Sequence, residues 1–221
     1  MSTIQLACLD MAGTTVADDG LVDRAFDDAL DRLRVAPADR RRMATYVRDT
    51  MGTSKIEVFR ALFGDEDRAQ RANAAFEAAV GDQVRSGAVR PLPGAADAVD
   101  RLRSAGVKVA LTTGFSPDTR RLVLRALGWE TLADLSLSPA DAGRGRPYPD
   151  MILTAVVRLG VDSVQAVAVA GDTEVDMVSG RRAGASVVAG VLTGADGRDR
   201  LVRGGATVVL PSVADLPAVL V

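Results

Sequence analysis

Apolar positions along the chain recur with two different periods. Five short runs are continuous in apolar and β-branched residues and end in small or polar ones: Ile4 to Leu9, Val107 to Leu111, Ala166 to Ala170, Ser186 to Leu192 and Ala206 to Leu210. Runs of this length predict strands buried on both faces. Between them the spacing becomes helical. Gly94 to Gly106 carries Ala95, Val99 and Leu102, and Ser116 to Gly128 has a capping serine, Pro117 in the first turn and a closing glycine. Fully apolar strands alternating with helices predict an α/β fold, a Rossmann-like doubly wound parallel sheet covered on both faces.

About ninety residues separate the first two strands, where a parallel crossover needs a dozen to thirty. Val22, Ala25, Phe26, Ala29 and Leu33 follow helical spacing, as do Ile56, Phe59 and Phe63, and Ala72, Phe76, Ala79 and Val80. The pattern predicts an all-helical cap domain over 17–90, inserted into an α/β core domain formed by 1–16 and 91–221. Ala17 to Gly20 and Val89 to Gly94 are the expected hinge segments.

Composition narrows the chemistry. The chain has 221 residues, 48% of them hydrophobic, and 29 acidic against 27 basic side chains give a net charge of −2. That balance supplies no field for nucleic acid or an anionic membrane surface. No apolar stretch is long enough to cross a bilayer, and the single cysteine, Cys8, excludes a disulfide framework. A cytoplasmic location is the expectation. Histidine is absent, which removes the commonest general base and every histidine-ligated metal site. Of the basic residues only Lys55 and Lys108 are lysine, so a role for a deprotonatable side-chain amine has two candidates.

Ligands of a doubly wound sheet bind beyond the carboxyl ends of its strands, so polar residues there are inspected first. Asp10 closes the first strand and leads into Met11-Ala12-Gly13-Thr14-Thr15, a turn expected to offer backbone N–H groups to a phosphate. Thr113 and Gly114 follow the second core strand. Arg146 stands in Gly145-Arg146-Pro147-Tyr148-Pro149 as a permanent cation before a helix. Gly171-Asp172-Thr173-Glu174-Val175-Asp176 places two carboxylates one helical turn apart, a pattern that suits Mg²⁺ and equally suits an acid-rich first turn. Any one of these is an ordinary turn or cap. Four on one sheet, in this order, supply a nucleophile, a hydroxyl, a cation and an acidic pair.

Those four segments resemble the four motifs of the haloacid dehalogenase superfamily, with the insertion in the place of its helical cap. The resemblance implies that Asp10 is the nucleophile that becomes an aspartyl-phosphate, Thr113 the phosphate-binding hydroxyl and Arg146 the stabilising cation. It implies a Mg²⁺ cofactor held by Asp10, the Ala12 carbonyl, Asp172 and Asp176. Phosphatases of the superfamily carry a second aspartate two residues after the nucleophile; here that position is Ala12. Loss of a general acid is worth roughly two to four orders of magnitude in rate, so a different leaving-group chemistry is expected.

Met51-Gly52-Thr53-Ser54-Lys55-Ile56 supplies a candidate in Lys55, which opens a helix where the dipole and nearby cations favour the neutral amine. Taken with Ala12 and Arg146, this segment makes the chain similar to the phosphonatase-like hydrolases. That resemblance implies cleavage of the C–P bond of a 2-oxoalkylphosphonate such as phosphonoacetaldehyde, through a Lys55 imine. Substrate contacts would come from Ala12, Gly13, Thr14, Met51, Gly52 and Gly114, and a homodimer would form through the cap helices. Two positions depart from phosphonatase: Val58 replaces a histidine and Phe115 a tyrosine. The alternatives are a small-molecule phosphate monoester phosphatase and a non-catalytic phosphoryl-ligand binder.

Overall fold

Leu6 and Cys8 alternate with Ala7 and Leu9 along the first strand, and the two pairs enter different cores. A computed structural model describes residues 3–221. Its single sheet contains six parallel strands, β1 (Leu6–Asp10), β2 (Lys108–Thr112), β3 (Leu135–Leu137), β4 (Val167–Gly171), β5 (Val187–Val191) and β6 (Val208–Leu210), in the order β3-β2-β1-β4-β5-β6. The helices are α1 (Leu21–Arg32), α2 (Pro37–Asp49), α3 (Lys55–Phe63), α4 (Glu66–Arg85), α5 (Ala95–Ser104), α6 (Pro117–Ala126), α7 (Pro139–Ala142), α8 (Asp150–Arg158), α9 (Glu174–Ala183), α10 (Arg198–Gly204) and α11 (Pro217–Leu220).

One core joins Ala7 and Leu9 to Val109 and Leu111 of β2, Ala168 and Ala170 of β4, and the apolar stripes of α5 and α6. The opposite face packs Leu6, Cys8, Val167, Val169 and Val188 against Met151 and Ile152 of α8, Met177 of α9 and Leu201 of α10. This two-sided burial is the reason the strand sequences are continuously apolar. It also pushes the Cys8 thiol up to about 12, so it packs as a small hydrophobe.

Helices α1 to α4 occupy the long segment after β1. The segments flanking them pair with each other, with an antiparallel bridge between Val16 and Pro91 and bonds from the Ala17 amide to the Arg90 carbonyl and from the Leu92 amide to the Thr15 carbonyl. Phe26, Phe59 and Phe76 cluster inside the helices, with Phe26 lying 4.7 Å from Phe59 and 4.8 Å from Phe76 between ring centroids. Phe76 also meets Phe115 of the sheet half at 6.4 Å, so a single apolar core runs through both parts.

Several elements differ from the sequence expectation, among them α2, β3 and the bounds of the strands. Helix α2 was not predicted because it buries only Met43 and Val47 among charged neighbours, a stripe too thin for periodicity to mark. Strand β3 has three residues at the sheet edge and is visible only through its pairing with β2. Strand β1 begins two residues later than Ile4 and takes in Asp10 as its last residue.

Candidate active site

Register brings the carboxyl ends of the central strands together. Asp10 is paired with Thr112 of β2, and Leu9 with Ala170 of β4, so the chain leaves three adjacent strands at one level. Asp10, Thr113, Arg146, Asp172 and Asp176 are all buried there. A cavity of about 40 Å³ is lined from the sheet side by Asp10, Ala12, Thr113, Gly114, Arg146 and Asp172, and from the helical segment by Met51, Gly52 and Lys55. Of the predicted site residues only Gly13, Thr14 and Asp176 stand outside this lining.

Their positions explain why. The turn after Asp10 uses its own amides: Gly13 N–H donates to the Val16 carbonyl at 2.7 Å, and those of Thr14, Thr15 and Val16 donate to the Met11 carbonyl. The expected phosphate cradle of Gly13 and Thr14 amides is therefore not what this turn provides. Thr14 instead donates its hydroxyl to Asp172 Oδ1 at 3.1 Å. Asp176 accepts from Thr173 N–H at 3.1 Å in a capping box at the start of α9, and its other oxygen accepts from Arg146. Thr113 accepts from the Phe115 amide at 3.2 Å, which leaves its O–H free to donate.

Arg146 Nη1 donates to Asp10 Oδ1 at 2.5 Å and also to Asp176 Oδ1, while its buried Nε has no partner among the described residues. Burial raises the Asp10 carboxyl above the usual carboxylate range, Arg146 pulls it back and Asp176 raises it again. Burial and both neighbouring carboxylates likewise hold Asp172 well above its ordinary value. One oxygen each of Asp10, Asp172 and Asp176 lies within 4.8 Å of the others. Three buried hard oxygen donors facing one guanidinium form a site short of positive charge, and this donor set fits Mg²⁺.

Lys55 is the first residue of α3 and is buried. Its ammonium is lowered to about 8, first by burial and then by Arg146, with Asp18, Asp10 and Asp172 opposing. The helix start contributes differently from the expectation, since the Ser54 side chain makes no cap bond. Gly52 lets the helical segment reach the sheet: its φ is 84°, and a Cβ there would lie 2.5 Å from Thr173 Oγ1 and 2.7 Å from Val175 Cγ2. Val58 is buried in the apolar core, away from any polar role, and Phe115 lines the cavity.

Sequence reasoning missed two groups. The segment after β5 locks Asp172: Ala195 N–H donates to Asp172 Oδ2 at 2.8 Å, and Thr193 donates to the Gly13 carbonyl at 2.7 Å. Gly194 is obligatory there, since a Cβ would lie 1.9 Å from Asp172 Oδ2. Its position just beyond a strand end was the available signal. Asp18, read as part of a hinge, also lines the cavity.

Fold and site together define a doubly wound α/β protein with a cluster of buried carboxylates at the carboxyl ends of its central strands. The model of the haloacid dehalogenase-like hydrolases matches residues 4–184, and the chain belongs to that family. It is 31% identical over 156 residues to a phosphonoacetaldehyde hydrolase of Bacillus cytotoxicus, an alignment covering 59% of this chain and 58% of that one. A phosphonoacetaldehyde hydrolase of Pseudomonas fluorescens is 29% identical over 209 residues, covering 85% of this chain and 73% of the relative. Among solved structures, a phosphonoacetaldehyde hydrolase-like protein from Oleispira antarctica superposes with a TM-score of 0.85 at 25% identity, over 99% of this chain and 92% of that one. No helix among the described residues is long and apolar enough to cross a membrane.

Proposed function

We propose that this hydrolase cleaves the C–P bond of a 2-oxoalkylphosphonate, phosphonoacetaldehyde or a close relative, with Mg²⁺ as cofactor. The observation that carries the reading is a buried lysine whose amine is lowered to about 8, sharing a cavity with Asp10 and with a methyl group, that of Ala12, where an ester phosphatase needs an acid. The curated relatives that bear the name phosphonoacetaldehyde hydrolase support it.

Neutral Lys55 attacks the substrate carbonyl and forms an iminium, which is an electron sink two bonds from phosphorus. Asp10 attacks phosphorus, the C–P electron pair enters the enamine, and an aspartyl-phosphate forms. Arg146 neutralises charge on Asp10 and on the phosphoryl oxygens, and the Thr113 hydroxyl donates to one of them. Asp10, the Ala12 carbonyl, Asp172 and Asp176 would hold Mg²⁺, which supplies charge neutralisation for the phosphoryl group when bound. Water then releases phosphate from Asp10.

The test is phosphate release from phosphonoacetaldehyde beside a panel of phosphate monoesters, for wild type and Lys55→Arg. Release from phosphonoacetaldehyde that Lys55→Arg abolishes is the expected result. Fast ester hydrolysis indifferent to that substitution would assign a monoester phosphatase instead.

A further inference from the structure

Imine formation and hydrolysis need a proton donor and acceptor beside the amine, and the chain has no histidine to serve. Five side chains that line the cavity carry titratable or permanent charge: Asp10, Asp18, Lys55, Arg146 and Asp172. Asp10 is committed to phosphorus, Asp172 to the acidic cluster, and a guanidinium does not release its proton. Asp18 is left.

Its setting suits the task. Asp18 Oδ1 accepts from the Val22 amide at 3.0 Å, and the Asp18 carbonyl accepts from the Leu21 amide at 2.6 Å, which fixes the residue at the start of α1. The side chain is half-buried. A cleft of about 530 Å³ adjoins the small cavity and shares Asp18, Met51 and Ala195 with it. Asp18 therefore stands where the small cavity meets the wider cleft.

We propose that Asp18 is the proton donor and acceptor for the carbonyl chemistry at Lys55, an inference that rests on the imine reading above. Lys55 Nζ adds to the carbonyl carbon and its proton passes to the new alkoxide, giving a neutral carbinolamine. Asp18 gives its proton to the carbinolamine hydroxyl. The C–O bond breaks, water leaves, and the nitrogen lone pair closes the iminium beside the Asp18 carboxylate. After C–P cleavage a water protonates the enamine carbon, and the hydroxide it leaves adds to the product iminium to give a neutral carbinolamine. The Asp18 carboxylate takes the carbinolamine hydroxyl proton and passes it to Nζ, so the C–N bond breaks with its electron pair on the protonated amine and the aldehyde carbonyl forms. The proton set free when water cleaves the aspartyl-phosphate restores Asp18. Burial holds the Asp18 carboxyl above its usual range, against the Val22 amide, Lys55 and Arg24, with Asp23 adding to the rise.

The experiment compares wild type, Asp18→Asn, Asp18→Glu and Asp18→Ala, with thermal melting as the folding control. Borohydride inactivation in the presence of phosphonoacetaldehyde reads the iminium, and phosphate release reads turnover. Asp18→Asn keeps an acceptor for the Val22 amide, yet trapping and turnover are expected to fall by about 10²-fold or more. Asp18→Glu is expected to retain most activity, and added formate or acetate to restore part of the turnover of Asp18→Ala. Trapping and turnover in Asp18→Asn close to wild type, or a loss in folded Asp18→Ala that small carboxylic acids leave unchanged, overturns the role. Absence of trapping in wild type alone would overturn the imine reading and this inference with it, so the two failures are told apart.

Discussion

The guanidinium of Arg146 is shared by two carboxylates, with Nη1 donating to Asp10 Oδ1 at 2.5 Å and to Asp176 Oδ1 as well. The pair lies almost entirely out of solvent, so the cation is the main protein counter-charge for the acidic cluster. Arg146→Met would leave three buried carboxylates without it. A stability loss of about 3–5 kcal/mol without divalent cation is expected, with part of it recovered in Mg²⁺. Urea unfolding with EDTA and with MgCl₂ measures both, and the Mg²⁺ increment should be larger in Arg146→Met than in wild type. Equal increments would show that Arg146 and the cation do not neutralise the same charge.

Gly194 has no space for a side chain beside Asp172. Gly194→Ala should therefore rotate the Asp172 carboxylate out of its bond with the Ala195 amide. The expected result is a 10–100-fold weaker Mg²⁺ dependence of activity, the range typical of lost support around a metal ligand. Titrating activity against Mg²⁺ tests this, and an unchanged midpoint would contradict it.

Gly52 joins a left-handed backbone to a close approach on Thr173 and Val175. Gly52→Ala adds strain of about 1–2 kcal/mol and forces the Lys55 segment away from the sheet. Turnover should fall at least about tenfold, because a displacement of an ångström at a reacting group costs up to 10²-fold. Gly64→Ala, also at positive φ but in open space, is the control for strain alone.

Lys55 titrates near 8 in the folded chain against 10.5 for the ordinary amine. Between those values the unfolded chain holds the proton and the folded chain does not, so stability rises with pH in that window and the full penalty stands below 8. Lys55→Met should stabilise the protein at pH 7, by on the order of 3 kcal/mol, and reduce the gain that wild type shows between pH 7 and 9. Urea midpoints of the two proteins at both values check the sign. Phosphate release should climb through about pH 8 as Lys55 loses its proton.

The core strands were legible because burial on both faces writes itself as unbroken apolar runs, and the site because its groups stand at the ends of those strands. What escaped lies where the signal is non-local. Edge strand β3 has no pattern of its own, α2 hides its two buried residues among arginines, and Thr193 to Ala195 show their purpose only when β5 is placed beside β4. In the turn after Asp10 the amides of Gly13 to Val16 close the turn and Thr14 holds Asp172, contacts that the sequence alone does not show. The sequence attributes a lowered Lys55 amine to the helix dipole and nearby cations; Arg146 is such a cation, and burial, which the sequence does not mark, is the larger cause.

Phe115 sits two residues after Thr113, accepts no polar duty, and rests its ring against Phe76 of α4. Any swing of the helical segment away from the sheet must peel those rings apart and wet them, or drag the Thr113 loop along. An opening of that kind would therefore be coupled, through the aromatic contact, to the position of the Thr113 hydroxyl proposed to bind phosphate.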